Sequence, residues 1–493
     1  MNYKIFALFK KLLLIHTSLL PFIALSQVYD GDWNVRLEAN GRKVDVIFHI
    51  KSDTRSSYAA KLDVPIQKAF NVPASETKLT ENDLTLVFKN ISLRVTLKPN
   101  ETNGLTGKWE QAGITILFDA KKAGNVTEGF RPKRPQTPTS PFPYEVEEIE
   151  FDNQDKTIHF GGTLTLPSKR KDMNFPALVL ITGSGKQDRD ETIYDHKPFA
   201  VIADYLSKRG FAVLRVDDRE IGKTTGSFMN STTQDFKADV EASLEYLKSR
   251  KEIDYSRIGL LGHSEGGLIA SMIASERADI AFVVLMATPT ISPLDLLESQ
   301  SVSLLVSEGL AESKAAKLKP LMRKMALAIK SAKDTTDAIQ QGENIFIEWR
   351  DKQTNQTIKS TTGITDEKSM QRYIRQLVNT LNQPWHKYFL DIHMDSIYPK
   401  IKAEVLALYA EKDVQVDPNT NAQALSNFLS KQFSEKSTIR ILPNLNHLFQ
   451  TCKKCNLSEY ADLEETIAPD VLPIIYQWLS KWTSQPLSAA VGR

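Results

Sequence analysis

The chain has 493 residues, 41% of them hydrophobic and 25% charged, which is enough for two or three folded units at roughly 100 to 200 residues each. Its 62 basic and 60 acidic side chains give a formal charge of +2. That balance argues against the basic footprint of a nucleic-acid binder or of a protein held on an anionic membrane surface.

The first 26 residues read as a secretory signal peptide. Lys4, Lys10 and Lys11 form a basic start, 12–25 is mostly apolar, and Ala24-Leu25-Ser26 offers small residues for cleavage before Gln27. His16, Thr17, Ser18 and Pro21 interrupt the apolar stretch, which falls short of the roughly 20 residues a spanning helix needs. The expectation is an exported chain, periplasmic or secreted, with no stable membrane insertion after cleavage.

Residues 27–122 carry short alternating runs at 33–37, 43–50, 84–88, 92–97 and 113–118, with Asn40-Gly41 as a hairpin signal between the first two. This spacing predicts a small antiparallel β-barrel or sandwich. Its one histidine, His49, has no nucleophile beside it in sequence, so the reading is an accessory module. Pro132, Pro135, Pro138, Pro141 and Pro143 follow and mark 123–143 as a linker, since proline fixes φ and removes a backbone donor.

From 144 to 493 the texture changes to strands alternating with helical stretches, the pattern of a doubly wound, mostly parallel α/β sheet. Strand-like runs fall at 144–151, 156–166, 177–182, 211–216, 257–262, 280–286, 405–409 and 438–442. Helical spacing appears at 199–206, 236–247, 267–274 and about 466–482. Between about 290 and 400 the alternation gives way to amphipathic stretches at 294–305, 321–329 and 370–381, too long for a simple connection and read as a helical cap.

The chemistry centres on Gly262-His263-Ser264-Glu265-Gly266, which follows one strand and opens a helix. That is the context the G-x-S-x-G turn requires: the bend pushes the serine hydroxyl out of the sheet, and the glycines let backbone pack closely. A serine hydroxyl needs a base to take its proton. In the hydrolase order of nucleophile, acid and histidine, only His386, His393 and His447 follow Ser264, and only His447 also follows the acid. Glu411, Asp413 and Asp417 lie after the 405–409 strand, and Asp413 is the expected acid because Asp417-Pro418 reads as a helix start. The oxyanion donors are expected at the backbone N–H groups of Glu265 and of Ser184, in Gly183-Ser184-Gly185.

Two charged turns, 186–190 and 217–219, read mainly as ion pairs that stiffen loops, and the aromatic segment 385–389 is a candidate wall of an acyl pocket. Cys452 and Cys455 are the only cysteines; structural or incidental use is read over a redox or zinc site, and whether they form the local disulfide that an oxidising compartment allows is left open. No metal or cofactor is expected.

Taken together, Gly162-Thr163-Leu164, Gly183-Ser184-Gly185 with Gln187-Asp188-Arg189-Asp190, Gly262-His263-Ser264-Glu265-Gly266-Gly267 and Asn446-His447-Leu448-Phe449-Gln450 resemble the bacterial EstD-type carboxylesterases of the α/β-hydrolase superfamily. More distantly the chain is similar to serine aminopeptidases and bile-acid-CoA acyltransferases. The resemblance implies a Ser264, Asp413, His447 triad that cleaves short-chain esters without a cofactor. Gly31-Asp32-Trp33 and Gly107-Lys108-Trp109 resemble a lipocalin-like extension. The sequence departs from the family at Arg219-Glu220-Ile221-Gly222, where the usual pattern is Arg-Gly-Val-Gly, and at the two cysteines. Three readings stay open: an esterase on a small acyl ester, a peptidase or acyltransferase with the same triad, or an exported binding protein with an inert hydrolase fold.

Overall fold

The computed structural model describes residues 28–483 except 40–41, 53–56, 65–68, 81–82, 102–103, 112–113, 123–132, 169–173 and 430–435. The expected leader lies outside the described residues. The chain divides into two units, 1–133 and 134–493.

In the first unit, alternation of apolar and polar side chains produces a curled nine-stranded antiparallel sheet, a half-barrel. Its strands are β1 Gly31–Ala39, β2 Arg42–Ser52, β3 Tyr58–Val64, β4 Ala69–Pro73, β5 Glu76–Leu79, β6 Leu84–Phe88, β7 Leu93–Pro99, β8 Leu105–Gln111 and β9 Ile114–Lys122. The spatial order is 4-3-2-1-9-8-7-6-5, an up-and-down meander in which the first and last strands pair and β4 and β5 are the two ends. Ala39 sits opposite Arg42, so β1 and β2 flank the expected hairpin, whose turn residues lie outside the described set. Period two sends Trp33, Val35, Leu37, Phe48, Leu86, Val95 and Phe118 to one face, where they fill the concave side as a packed core. On the other face His49 is held between Asp32, at 2.6 Å, and Asp63, at 3.0 Å.

The second unit is an eight-stranded mixed sheet, formed by β10 Glu145–Asp152, β11 His159–Leu166, β12 Phe175–Ile181, β13 Ala212–Val216, β14 Ile253–His263, β15 Phe282–Met286, β16 Glu404–Ala410 and β17 Thr438–Leu442. The order is 10-11-13-12-14-15-16-17, with β10 and β11 antiparallel and every pair from β13 to β17 parallel. Both faces are covered, which is why the central strands read as continuous apolar runs. Alternate residues divide between two cores. Val179, Leu260, Val283 and Ala407 pack with the helices Thr233–Ser249, Glu265–Glu276 and Pro418–Phe428. Leu178, Leu261, Val284 and Leu408 pack with Pro198–Ser207 and Val471–Thr483. This is the doubly wound, mostly parallel α/β sheet that the alternation predicts.

Between β15 and β16 the chain is helical, as expected for the cap. Pro293–Ser307, Lys319–Ser331, Thr335–Arg350, Asn355–Thr362 and Glu367–Leu381 bracket a separate core containing Leu321, Met325, Phe346, Trp349, Ile374 and Val378. A short helix, Pro384–Phe389, then brings the chain back toward the sheet.

The proline segment from Arg134 onward belongs to the second unit. Arg134 donates to the carbonyls of Tyr194, Ala461 and Leu463, and Gln136 bonds the backbone of Thr466 and Ile467. The last part of the segment is therefore docked, because the guanidinium satisfies carbonyls that turn away from any ladder. Arg134→Ala is expected to cost about 2 kcal/mol of stability in urea unfolding, with kcat on a good substrate little changed. An unchanged midpoint would rule out the anchoring role.

Candidate active site

Strand β14 ends at His263, and the helix Glu265–Glu276 begins one residue after Ser264. Ser264 itself has φ 53° and ψ −119°. A non-glycine residue there stores about 1–3 kcal/mol of strain and persists only where its surroundings impose it. Here they do. A Cβ on Gly262 would lie 2.2 Å from the backbone of Gly266, and one on Gly266 would lie 2.1 Å from the Ile181 carbonyl oxygen. Only glycines allow strand, turn and helix to approach this closely, and the Ser264 N–H is fixed on the Met286 carbonyl at 2.8 Å.

His447 lies in the turn after β17. The turn is shaped by buried Asn446, whose side-chain oxygen accepts the N–H groups of Leu448 and Gln450, both at 3.0 Å. Asp413 lies in the loop after β16. Its Oδ2 meets His447 Nδ1 at 2.6 Å, and its Oδ1 accepts backbone N–H groups from Gln415 at 2.7 Å and Val416 at 2.9 Å. Both side chains are buried. The other acids of that loop are engaged elsewhere: Glu411 accepts the Asn444 N–H, and Asp417 caps the helix Pro418–Phe428. His386 and His393 are in the cap segment.

Ser264 and His447 line one cavity of about 250 Å³. Ser184 and Glu265, expected to supply the oxyanion donors, line it as well. Glu265 heads its helix, where the first amides have no partner within the helix. The lining also includes the ionisable Glu191 and His263, the apolar Ile193, Leu296, Trp385, Phe389, Val416 and Leu448, and the neutral amides of Gln187, Gln300 and Gln415. Trp385 and Phe389, from the expected aromatic segment, stack with ring centres 5.1 Å apart.

Three supporting residues were not legible in the sequence. His263, inside the motif, meets the Glu191 carboxylate through Nδ1 at 2.9 Å and the His447 carbonyl through Nε2 at 3.0 Å. Both partners are acceptors, so the ring carries both protons. Burial works against that charge, but the Glu191 carboxylate and the other acceptors outweigh it and raise the His263 pKa. Glu191 also accepts the Gly183 N–H at 2.7 Å, tying the loop after β12 to the elbow. The third is the Glu265 side chain. It is buried at 3% exposure, and its Oε1 accepts Trp385 Nε1 at 2.6 Å and Thr233 Oγ1 at 2.7 Å. Burial pushes its carboxyl above the ordinary range, and these donors partly hold it back.

The two charged turns form the expected ion pairs. Arg189 binds Asp217 and Glu148, Arg215 binds Asp190, and Arg219 binds Asp239 through two hydrogen bonds. Glu220, where the family pattern has glycine, adopts φ 65° and pairs with Lys186. Asp218 accepts Gln187 N–H and Thr182 Oγ1. Burial pushes its carboxyl up to about 7, and Glu265 and Glu191 add to the effect. A carboxyl with a raised native pKa binds its proton more tightly folded than unfolded, where the pKa is about 3.9. Its contribution to stability is therefore complete below about pH 4 and lost as pH rises through about 7. Urea unfolding of wild type and Asp218→Asn from pH 4 to 8 is expected to show the wild type losing stability relative to the variant as pH rises. Parallel curves would refute the assignment.

Cys452 and Cys455 are joined by a disulfide, directly after the His447 turn. The Glu459 carboxylate accepts the N–H groups of Lys453, Lys454 and Cys455, which organises this loop. No helix among the described residues is long and apolar enough to cross a membrane.

Esterase EstD of Thermotoga maritima is 32% identical over 214 residues, 43% of this chain and 50% of that protein, so the match spans half of the relative's length. Two solved structures are similar at lower identity. The α/β hydrolase GrgF from Penicillium sp. sh18 is 15% identical with TM-score 0.41, over 69% of this chain and all of that one. The Pyrococcus furiosus esterase Pf2001 is 15% identical with TM-score 0.41, over 72% of this chain and 98% of that one. The family described as serine aminopeptidase, S33, matches residues 196–451, a segment that contains Ser264, Asp413 and His447. That is just over half of the sequence, and the chain belongs to this family of serine hydrolases.

Proposed function

We propose that the protein is an exported serine hydrolase that cleaves short-chain carboxylic esters through an acyl-enzyme on Ser264. In this reading His447 removes the Ser264 proton as the hydroxyl oxygen attacks the ester carbonyl, and Asp413 fixes the imidazole and stabilises its protonated form. The N–H groups of Glu265 and Ser184 receive the developing oxyanion. His447 then gives its proton to the departing alkoxide, and the alcohol leaves. Water, deprotonated by the same imidazole, attacks the acyl-enzyme; collapse returns the proton to Ser264 and releases the carboxylic acid.

The observation that carries the choice of ester over aminoacyl amide is how the cavity's carboxyl groups are used. An aminopeptidase must hold a substrate ammonium, which calls for an unengaged carboxylate. Among the described lining residues the carboxyl groups are Glu191, bonded to His263 and Gly183, and Glu265, bonded to Trp385 and Thr233. Apart from His263, whose ring is held by Glu191 and the His447 carbonyl, the remaining surface is apolar or neutral, as an uncharged acyl ester requires. The likeness to Esterase EstD supports the same choice.

Export is supported by the basic and apolar composition of 1–26 and by the Cys452–Cys455 disulfide, since disulfides persist in oxidising compartments. The up-and-down order of the first unit supports its reading as a lipocalin-like accessory module.

The test uses purified mature protein on p-nitrophenyl acetate and butyrate, aminoacyl p-nitroanilides and acyl thioesters in parallel, together with a fluorophosphonate probe. Ester turnover and labelling of Ser264 are expected. A preference for amides or thioesters would replace the esterase reading, and absence of both labelling and turnover would leave an inert binding protein.

A further inference from the structure

The Glu265 side chain has no place in the triad, yet it occupies one of the most costly positions in the molecule. Its neighbour in sequence is the nucleophile, and it is almost fully withdrawn from water. An isolated carboxyl there would be strongly unfavourable unless its oxygens were hydrogen-bonded. Two donors meet that need at Oε1, and each comes from a different element. Thr233 is the first residue of the helix Thr233–Ser249, and Trp385 belongs to the short helix Pro384–Phe389 late in the cap.

The Trp385 bond has a specific geometric effect. An indole N–H can only donate, so a 2.6 Å contact to Glu265 Oε1 fixes the ring by one end. The ring plane is fixed by its stacking on Phe389. Both aromatics face the cavity that holds Ser264 and His447. A cap wall that would otherwise be free to slide over an apolar surface is thus tied to the residue that directly follows Ser264.

We infer that Glu265 is a positioning residue for the acyl pocket: its carboxyl holds the Trp385–Phe389 wall of the cap in register with the nucleophile elbow and so limits the acyl chains that the site accepts. The inference rests on the ester-hydrolase reading above. A merely structural role for the carboxyl would lower the rates of all esters by one common factor when it is removed. A positioning role changes their ratio.

The experiment measures kcat and KM for p-nitrophenyl acetate, butyrate, hexanoate and octanoate with wild type, Trp385→Phe, Glu265→Leu, Glu265→Gln and the double variant Trp385→Phe/Glu265→Leu. Wild type is expected to prefer acetate or butyrate. Trp385→Phe loses the donor and Glu265→Leu loses the acceptor, so each is expected to shift the octanoate-to-acetate ratio of kcat/KM upward by about tenfold. The double variant is expected to match the single ones, because both break the same bond. Glu265→Gln keeps an acceptor oxygen and is expected to restore a wild-type profile. Since phenylalanine also enlarges the pocket, Glu265→Leu and its rescue by glutamine carry the test. If Glu265→Leu does not fold, the Gln rescue and the Trp385→Phe profile decide. A wild-type ratio in Glu265→Leu, or in Trp385→Phe if Glu265→Leu does not fold, a Gln variant as altered as the Leu variant, or multiplying effects in the double variant would overturn the assignment. No ester turnover by wild type would instead overturn the ester-hydrolase reading itself.

Discussion

Ser264→Ala is expected to reduce turnover of p-nitrophenyl acetate by at least roughly 10⁴-fold while leaving the melting temperature close to that of the wild type. The two halves of this expectation come from different atoms. In the proposed mechanism Oγ is the attacking atom, and its loss removes the acyl-enzyme route altogether; only the oxyanion donors and the cavity remain to hold substrate. The Cβ is what meets the strained backbone at φ 53°, and alanine keeps it. Alanine leaves the Ser264 N–H on Met286 and the close glycine contacts unchanged, so the turn has no reason to relax. Steady-state kinetics with calorimetry on the same preparation test both halves. Substantial residual turnover in the variant would mean that another group makes the bond.

The site that this variant probes was legible from sequence because its parts sit at chain positions the fold dictates. A parallel sheet delivers its active residues at the carboxyl ends of its strands. So the loops after β14, β16 and β17 could be searched for a serine, an acid and a histidine once the strands were placed. The buried strands were visible for the same physical reason: covered on both faces, they are runs such as Phe282–Met286 with no polar interruption. The first sheet was harder. β3, with the sequence Tyr-Ala-Ala-Lys-Leu-Asp-Val, puts only small Ala60 between Tyr58 and Leu62 on its buried face, and its alternation is faint. β8 buries only Leu105 and Trp109 and shows as an isolated Gly-Lys-Trp signal. In the cap, Thr335–Arg350 was missed because its buried positions include Ala338 and Gly342, which carry little hydrophobic signal.

What sequence could not reveal is pairing across long separations. Glu265 and Trp385 are 120 residues apart, and His263 and Glu191 are 72 apart. Neither pair has a local pattern, since a buried carboxyl finds its donors only after the sheet and cap have closed around it. The choice of Asp413 among Glu411, Asp413 and Asp417 was legible in part, since Asp417-Pro418 reads as a helix start, but that Glu411 bonds the Asn444 N–H appears only in the folded chain.

That choice leads to the second large effect. Asp413→Asn is expected to lower kcat by roughly 10⁴-fold at neutral pH with little loss of stability. The backbone decides the sign. Oδ1 of Asp413 accepts two N–H groups, from Gln415 and Val416, so an asparagine in its place must keep its oxygen on that side. Its NH₂ then faces His447 Nδ1, where the carboxylate oxygen stood at 2.6 Å. A donor there demands that Nδ1 accept, which places the ring proton on Nε2, the nitrogen that must be bare to take the Ser264 proton. The variant thus keeps its loop and holds the base in the wrong tautomer. Kinetics at pH 7 with a melting curve check it. A variant within tenfold of wild type would show that His447 does not depend on this carboxylate for its orientation.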